Sequence, residues 1–439
     1  MQLPHSLRLK ENPPASSICF TGAGGKTTAL FQLARQSKEK LILATATTHM
    51  GKWQTALADH HIIVDQNASS IQLPEQGVVL ITGEIKDNRT LPISNNTLYW
   101  LREISKKNNV RLLIEADGSR QKPIKAPAEH EPPIPDFADM VIYVAGLSGL
   151  QKPLDKDNIH RPEIFSKLTG LALNKAVSPE KLINYLVHPQ GALKNIPSSA
   201  KKIALLNQAD TPQLQSIGSQ MAEKLMNVYD AVLVGSLQTD KLYRVEKTAG
   251  IILAAGTSKR YGETKQLLDW KGKTFIRQVA ETALQAGLEP VVIVTGSHHA
   301  EVESQLRDLP VHVIYNAAYE QGQSTSIKAG LQALPRHAGG AVFLLADQPQ
   351  IPVEVIRALT ESHASEGQAI LAPLVLEERR ANPVLFDRVT FPDLMGLQGD
   401  IGGRGIFDKH RVSYLPWHDD ILLFDVDKPE DYQRLKDFQ

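Results

Sequence analysis

The stretch IILAAGTSKRYGETKQLL, residues 251–268, decides how this chain of 439 residues is read. Its opening run, IILAA, predicts a buried first strand that stops at Gly256. A glycine there lets the backbone turn without a Cβ clash. The loop that follows carries the hydroxyls of Thr257 and Ser258 and the cations Arg260 and Lys265. A helix beginning near that turn would aim its positive end at an anion. Arginine can hold phosphate oxygens bidentately, and lysine supplies a compact charge. A surface loop with solvated cations is the plainer alternative. Strand, glycine and two spaced cations in succession point instead to a nucleoside triphosphate site.

A second loop of the same flavour, CFTGAGGKTT, lies at residues 19–28. Gly22, Gly24 and Gly25 allow close backbone approach to phosphates, Lys26 reaches them, and Thr27 can ligate Mg²⁺, with Thr28 beside it. Phe20 stands where the first glycine of G-x-x-x-x-G-K-S/T would be, so the loop reads as the shorter G-x-x-G-K-T. Downstream, RLLIEADGS (111–119) ends a predicted strand in Glu115 and Asp117, carboxylates placed to hold Mg²⁺ directly or through water. ATATTHM (44–50) offers Thr47, Thr48 and His49 at another strand end. KAPAEHEPPIP (125–135) groups Glu129, His130 and Glu131, which suit a metal or acid–base site and equally suit a solvated loop. LLNQAD (205–210) is close to a guanine-reading N-K-x-D, but Gln208 replaces the lysine.

Around these loops, short apolar runs alternate with amphipathic stretches. LILATAT (41–47), GVVLITG (77–83), MVIYVAG (140–146) and AVLVGS (231–236) belong to one series. GIILAAG (250–256), PVVIVTG (290–296), VHVIYN (311–316) and AVFLLAD (341–347) belong to another. Such alternation predicts an α/β chain with mostly parallel sheets flanked by helices. The polar stretch QTDKLYRVEKT (238–248) separates the series, which gives expected domains at 1–245 and 246–439. Ligands of open α/β sheets sit beyond the carboxyl ends of strands, where these runs end in Gly, Asp or Asn. Asp347 ends AVFLLAD and could hold Mg²⁺ against phosphates. In LLFDVDKPEDY (422–432), Asp425 and Asp427 share one face of an extended segment and could complete that site. Helix capping is the structural alternative for all three aspartates.

Lys+Arg and Asp+Glu are 48 each, so no global field recruits nucleic acid or an acidic membrane, and any anion site must be local. The single cysteine, Cys19, sits in an apolar run and reads as a small core residue. With no disulfide framework, no signal-like apolar core near Met1 and no run near the ~20 residues of a membrane span, a soluble cytoplasmic protein is expected.

LAAGTSKRYGETKQLL resembles the L-A-A-G-x-S-x-R-x-G-x-x-K-x-L-L signature of MobA-like nucleotidyltransferases, within them the molybdenum cofactor cytidylyltransferase branch. NAAYEQGQSTSIKAGL (316–331), LLADQP (344–349), NPVLF (382–386), GDIGGR (399–404) and the D-x-D-x-P-E-D at 425–431 resemble that branch in order. Tyr261, where methionine is usual, departs from it. The resemblance implies a Rossmann-like domain that transfers CMP from CTP to the phosphate of molybdopterin, with release of pyrophosphate and help from Mg²⁺. Lys265, Arg260 and Asp347 would be catalytic, and Asp347, Asp425 and Asp427 would hold the metal. The expected nucleotide set is Leu253, Ala254, Ala255, Gly256, Thr257, Ser258, Thr295, Asn316 and Ser324, and the acceptor set is Asn382, Asp400 and Arg404. LAAG in place of LAGG, and GQSTS, favour CTP over GTP.

The first half, through TGAGGKT, TATTHM, EADGS, KAPAEHEP and HRPE (160–163), resembles the YqeC-like family associated with selenium-dependent molybdenum cofactor biosynthesis. That resemblance implies a P-loop domain for ATP or GTP, with metal at Thr27, Glu115 and Asp117. Together the two imply cofactor maturation or delivery to a molybdenum hydroxylase apoenzyme. A nucleotidyltransferase for GTP or another phosphomonoester, and a nucleotide-driven cofactor chaperone, are the alternatives.

Overall fold

The computed structural model describes residues 1–9, 17–64, 71–256, 264–335, 338–376, 379–426 and 428–437. It divides into two compact units, Met1–Val245 and Glu246–Gln439.

The N-terminal unit is built on a nine-stranded sheet. From one edge the order is Lys241–Val245, Ala231–Ser236, Lys201–Asn207, Met140–Gly146, Ser17–Gly22, Arg111–Glu115, Leu41–Ala46, Gly77–Thr82 and His60–Ile63. All pairings are parallel except that of Lys241–Val245 with Ala231–Ser236. Side chains alternate across such a sheet. Ile18 and Phe20 therefore pack with Leu30 and Leu33 of the helix Lys26–Gln36. Cys19 packs on the other face with Leu98 and Leu101 of the helix Asn95–Asn108, a fully buried thiol that burial pushes well above its usual pKa. Both faces being covered explains why the central strands are continuous apolar runs.

The C-terminal unit carries an eight-stranded mixed sheet in the order His312–Tyr315, Val291–Thr295, Thr248–Ala254, Gly340–Leu345, Val384–Asp387, Ile370–Val375 and Arg379–Arg380, with Val412–Trp417 also on Ile370–Val375. The first four are parallel, so their carboxyl ends share one edge of the sheet. Val384–Asp387 runs antiparallel to both neighbours. Ile252, Ile293 and Leu344 pack under the helices Phe275–Gln285 and Val353–Glu366. Ile251, Val294 and Phe343 pack under Gln323–Gln332. Each fully buried Ile, Leu or Phe contributes about 1.5–3 kcal/mol. Among the strands that go beyond the apolar runs picked out in the sequence are His60–Ile63, Lys241–Val245, Val384–Asp387 and Val412–Trp417. The polar stretch 238–248 supplies an edge strand of the first sheet and the first residue of the strand Thr248–Ala254.

Candidate functional sites

In the N-terminal unit the strand Ser17–Gly22 runs directly into the glycine loop and the helix Lys26–Gln36. Gly22, Gly24 and Gly25 have φ of +93°, +80° and +126°, a region that disfavours any Cβ. The loop is pinned on both sides. Ala23 N–H donates to Val144 O (2.8 Å), Gly24 N–H to Lys122 O (3.1 Å), and Asn207 Nδ2 to Gly24 O (2.7 Å). Asn207 thus shapes the loop, and its Oδ1 also accepts from Leu237 N–H. A Cβ on Gly24 would lie 2.5 Å from Gly146 N and 2.8 Å from Pro123 O. Gly24→Ala is therefore expected to distort the loop at a cost of about 1–3 kcal/mol and to weaken binding of a nonhydrolysable ATP analogue roughly 10-fold or more. Unchanged affinity would show that this loop does not cradle phosphate.

The cationic and acidic residues of the loop converge. Lys26 Nζ donates to Gly22 O (2.8 Å) and lies 3.4 Å from Asp117 Oδ1 and 3.9 Å from Glu115 Oε1. Thr27 Oγ1 donates to Glu115 Oε2 (2.7 Å), and Thr21 Oγ1 and Gly22 N–H both donate to Asp117 Oδ2. Burial pushes the Glu115 carboxyl above its usual range against the pull of Lys26 and Thr27. Thr27, Glu115 and Asp117 offer hard oxygen donors, and buried Asp117 Oδ1 makes no hydrogen bond, which fits a divalent cation. Thr28 is exposed and, with Gly24, Gly25, Lys26 and Thr27, lines a cleft of about 900 Å³.

Behind the loop lies a network that the sequence reading did not identify. Lys125, 1% exposed, holds Asp117 Oδ2 (2.9 Å), Gly118 O (2.7 Å) and Glu131 Oε2 (2.8 Å). Arg161 clamps Glu131 with both guanidinium nitrogens, at 2.6 and 2.9 Å. Burial pushes Glu131 up, but the hydrogen bonds and charges of Arg161 and Lys125 outweigh it and hold the carboxyl at about 2. Burial, then the charges of Arg161 and Lys125, push His160 down to about 4. Of the trio 129–131, only Glu131 is buried; Glu129 and His130 are exposed.

In the C-terminal unit the carboxyl ends of Thr248–Ala254 and Gly340–Leu345 border a cleft of about 590 Å³. Leu253, Ala255, Gly256, Lys265, Asp347 and Asp400 line it together. Lys265 Nζ stands 3.9 Å from Asp347 Oδ2 across the opening. Gly256 lines the cleft, and among the described residues a Cβ there would meet only Gln266 Nε2, at 3.8 Å. Gln266, also unforeseen, donates from Nε2 to Ala254 O (3.3 Å) and Gly256 O (3.1 Å), while its buried Oε1 has no partner among the described residues.

Other expected residues sit around or beneath the cleft. Thr295 Oγ1 is bound to His299 Nδ1 (2.7 Å) and Ile314 O (2.9 Å). Asn316 spends its amide on Thr325 and Ser326 hydroxyls, fixing the turn into the helix Gln323–Gln332. Ser324 is buried, with its hydroxyl unpartnered among the described residues. Asp400 Oδ1 accepts Gln323 N–H (3.2 Å) at that helix's start. Asp425 Oδ1 accepts Gln348 Nε2 (2.6 Å), and Asp425 is not among the residues that line the cleft. Asn382 precedes a cis proline, and exposed Arg404 lies in the short helix Gly403–Ile406; neither is among the lining residues. Thr257, Ser258, Arg260 and Asp427 lie outside the described residues. Among the described residues, no helix is long and apolar enough to cross a membrane.

Two family models match the chain: YqeC protein over residues 18–163 and MobA-like NTP transferase domain over residues 250–413. The uncharacterized protein YqeC of Escherichia coli is 30% identical over 239 residues, spanning 50% of this chain and 87% of that protein. Purine catabolism protein PucB of Bacillus subtilis is 32% identical over 200 residues, spanning 43% of this chain and 95% of that protein. A probable molybdenum cofactor guanylyltransferase of Bacillus cytotoxicus is 30% identical over 144 residues, spanning 32% of this chain and 68% of that protein. The chain thus belongs to the YqeC family in its N-terminal unit and to the MobA-like NTP transferase family in its C-terminal unit, which makes it a nucleotidyltransferase.

Proposed function

We propose that the C-terminal unit transfers CMP from CTP to the terminal phosphate of the molybdenum cofactor, and that the N-terminal unit binds ATP or GTP in the service of the same cofactor. The observation that carries the first part is the facing pair Lys265 and Asp347 at the mouth of a cleft set on parallel strand ends. Mg²⁺ held by Asp347, together with Asp425 and Asp427, would neutralise charge on the triphosphate. Lys265, with Arg260, stabilises the pyrophosphate as it leaves. Gly256 and Ala255 leave space for the nucleotide against the first strand. The acceptor's phosphate oxygen attacks the α-phosphorus, the bond to the pyrophosphate oxygen breaks, and no enzyme-linked intermediate is needed. The work of the protein is positioning and electrostatics.

Ala255 in the strand-end LAAG supports CTP. The match to a guanylyltransferase keeps GTP as the second reading. Pyrophosphate release by the purified chain with Mg²⁺ and cofactor, offered CTP, GTP and ATP in parallel, separates them. The expected result is cofactor-dependent release with CTP at least about 10-fold faster than with GTP, a preference of some 1.4 kcal/mol. Faster release with GTP would reverse the assignment. The N-terminal reading rests on the pinned glycine loop with Lys26, Thr27 and Glu115. Delivery to a molybdenum hydroxylase apoenzyme would use that unit's nucleotide cycle.

A further inference from the structure

The N-terminal cleft is larger than a nucleotide's phosphates need, and its outer part has its own chemistry. Lys26 and Thr27 mark where the terminal phosphates and their cation belong. Gln54 Nε2 donates to Thr27 Oγ1 (3.0 Å), so the segment 49–57 adjoins that terminal end. On this segment Trp53 lines the cleft while 62% exposed, a large apolar face left open to water. His49 lies beside it. Its Nδ1 faces Thr90 O at 3.0 Å, and since a carbonyl only accepts, Nε2 is the nitrogen left for a ligand. Arg89, in the second strand of the hairpin Ile85–Thr90 and paired with Lys86, and Arg120 line the same cleft, and among the described residues neither has a side-chain hydrogen bond or ion pair. The lining as a whole carries five Lys or Arg against two carboxylates.

We propose that this outer compartment, walled by Trp53, His49, Arg89 and Arg120, binds a second substrate beside the nucleotide's terminal phosphate: a flat heterocycle bearing a phosphate. An exposed indole stacks on any planar ring, and guanidinium groups hold phosphate oxygens in pairs. Gln54 links occupancy of the compartment to the hydroxyl that would ligate the nucleotide's cation. The choice of a pterin as the ring rests on the function proposed above; the compartment itself does not.

The test is calorimetric titration of the full chain, with Mg²⁺ and a nonhydrolysable ATP analogue present, using a pterin phosphomonoester and the same pterin without phosphate. The wild-type chain is expected to take up two equivalents of the phosphomonoester, one in each unit. Trp53→Leu should weaken one of them on the order of 10-fold to 100-fold, and Arg120→Ala should weaken the same one. The unphosphorylated pterin should bind that site at least about 10-fold more weakly. A single equivalent that Trp53→Leu removes upholds the compartment and counts against the C-terminal acceptor instead. Any stoichiometry that both variants leave unchanged overturns the compartment. So does a loss of ATP-analogue affinity equal to the loss of pterin affinity, which would make Trp53 a nucleoside platform, and so does no binding at all.

Discussion

Asp347→Ala is expected to lower CTP-dependent pyrophosphate release by about three orders of magnitude, with the fold and the unfolding midpoint unchanged. The reasoning starts from position. Asp347 follows the last residue of the strand Gly340–Leu345 by two, and its side chain is 38% exposed toward the cleft. A carboxylate that open contributes little to stability, because exposed ion pairs are worth about 0–1 kcal/mol. Its ion pair with Lys265, at 3.9 Å, is of this weak kind. Function is another matter. With the carboxylate gone, Lys265 and the two remaining aspartates are left with a triphosphate whose charge is no longer balanced at the reacting phosphorus. Asp347→Asn keeps the shape and should lose nearly as much, which separates charge from packing. Steady-state pyrophosphate release together with thermal unfolding checks both halves. An active Asp347→Ala chain would remove the metal assignment and move the chemistry elsewhere in the cleft.

The two glycine loops were legible because each couples a buried strand to cations within a few residues, and such local order survives in sequence. The residues that complete each site were harder to read, for particular reasons. Gln266 is neutral and sits between Lys265 and two leucines, so nothing in the sequence shows that its amide ties Ala254 O to Gly256 O. Thr295 and Asn316 do end strands, but their polar atoms are engaged with His299, Ile314, Thr325 and Ser326, contacts made by tertiary packing. Gly256 reads in the sequence as a conformational need, but among the described residues a Cβ there would meet only Gln266 Nε2, at 3.8 Å. The overlooked strands lie mostly at sheet edges, where a continuous apolar run is not required. Lys241–Val245 alternates between exposed and buried positions at its start, and Val412–Trp417 contains Pro416, which an edge tolerates. Lys125 and Arg161 stood inside quoted motifs, but only the fold reveals that they share Glu131.

That shared carboxylate makes Lys125→Met the substitution with the largest expected effect on stability. Lys125 is buried between Asp117 and Glu131, and both lose a partner when the ammonium goes. Breaking a buried ion pair by removing one member costs about 3–5 kcal/mol, because the remaining charge stays desolvated. Arg161 still holds Glu131, so most of the loss falls on Asp117, whose Oδ2 also accepts from Thr21 and Gly22. The P-loop should therefore loosen along with the unit, and ATP-analogue affinity should fall with stability. The acid limb gives an independent reading. Glu131 titrates at about 2 against an ordinary 4.5, so its contribution is fully present above the unfolded value and is lost as pH falls through the folded one. At neutral pH the shift is worth on the order of 3 kcal/mol. Urea unfolding of the full chain between pH 7 and pH 2 should show a stability loss below about 4.5 that Glu131→Gln removes. Lys125→Met/Glu131→Gln should be less unstable than the sum of the single variants, since the two share one interaction. Additive losses, or a Lys125→Met cost under about 1 kcal/mol, would show that the charges behind the P-loop are independently solvated and do not act as a unit.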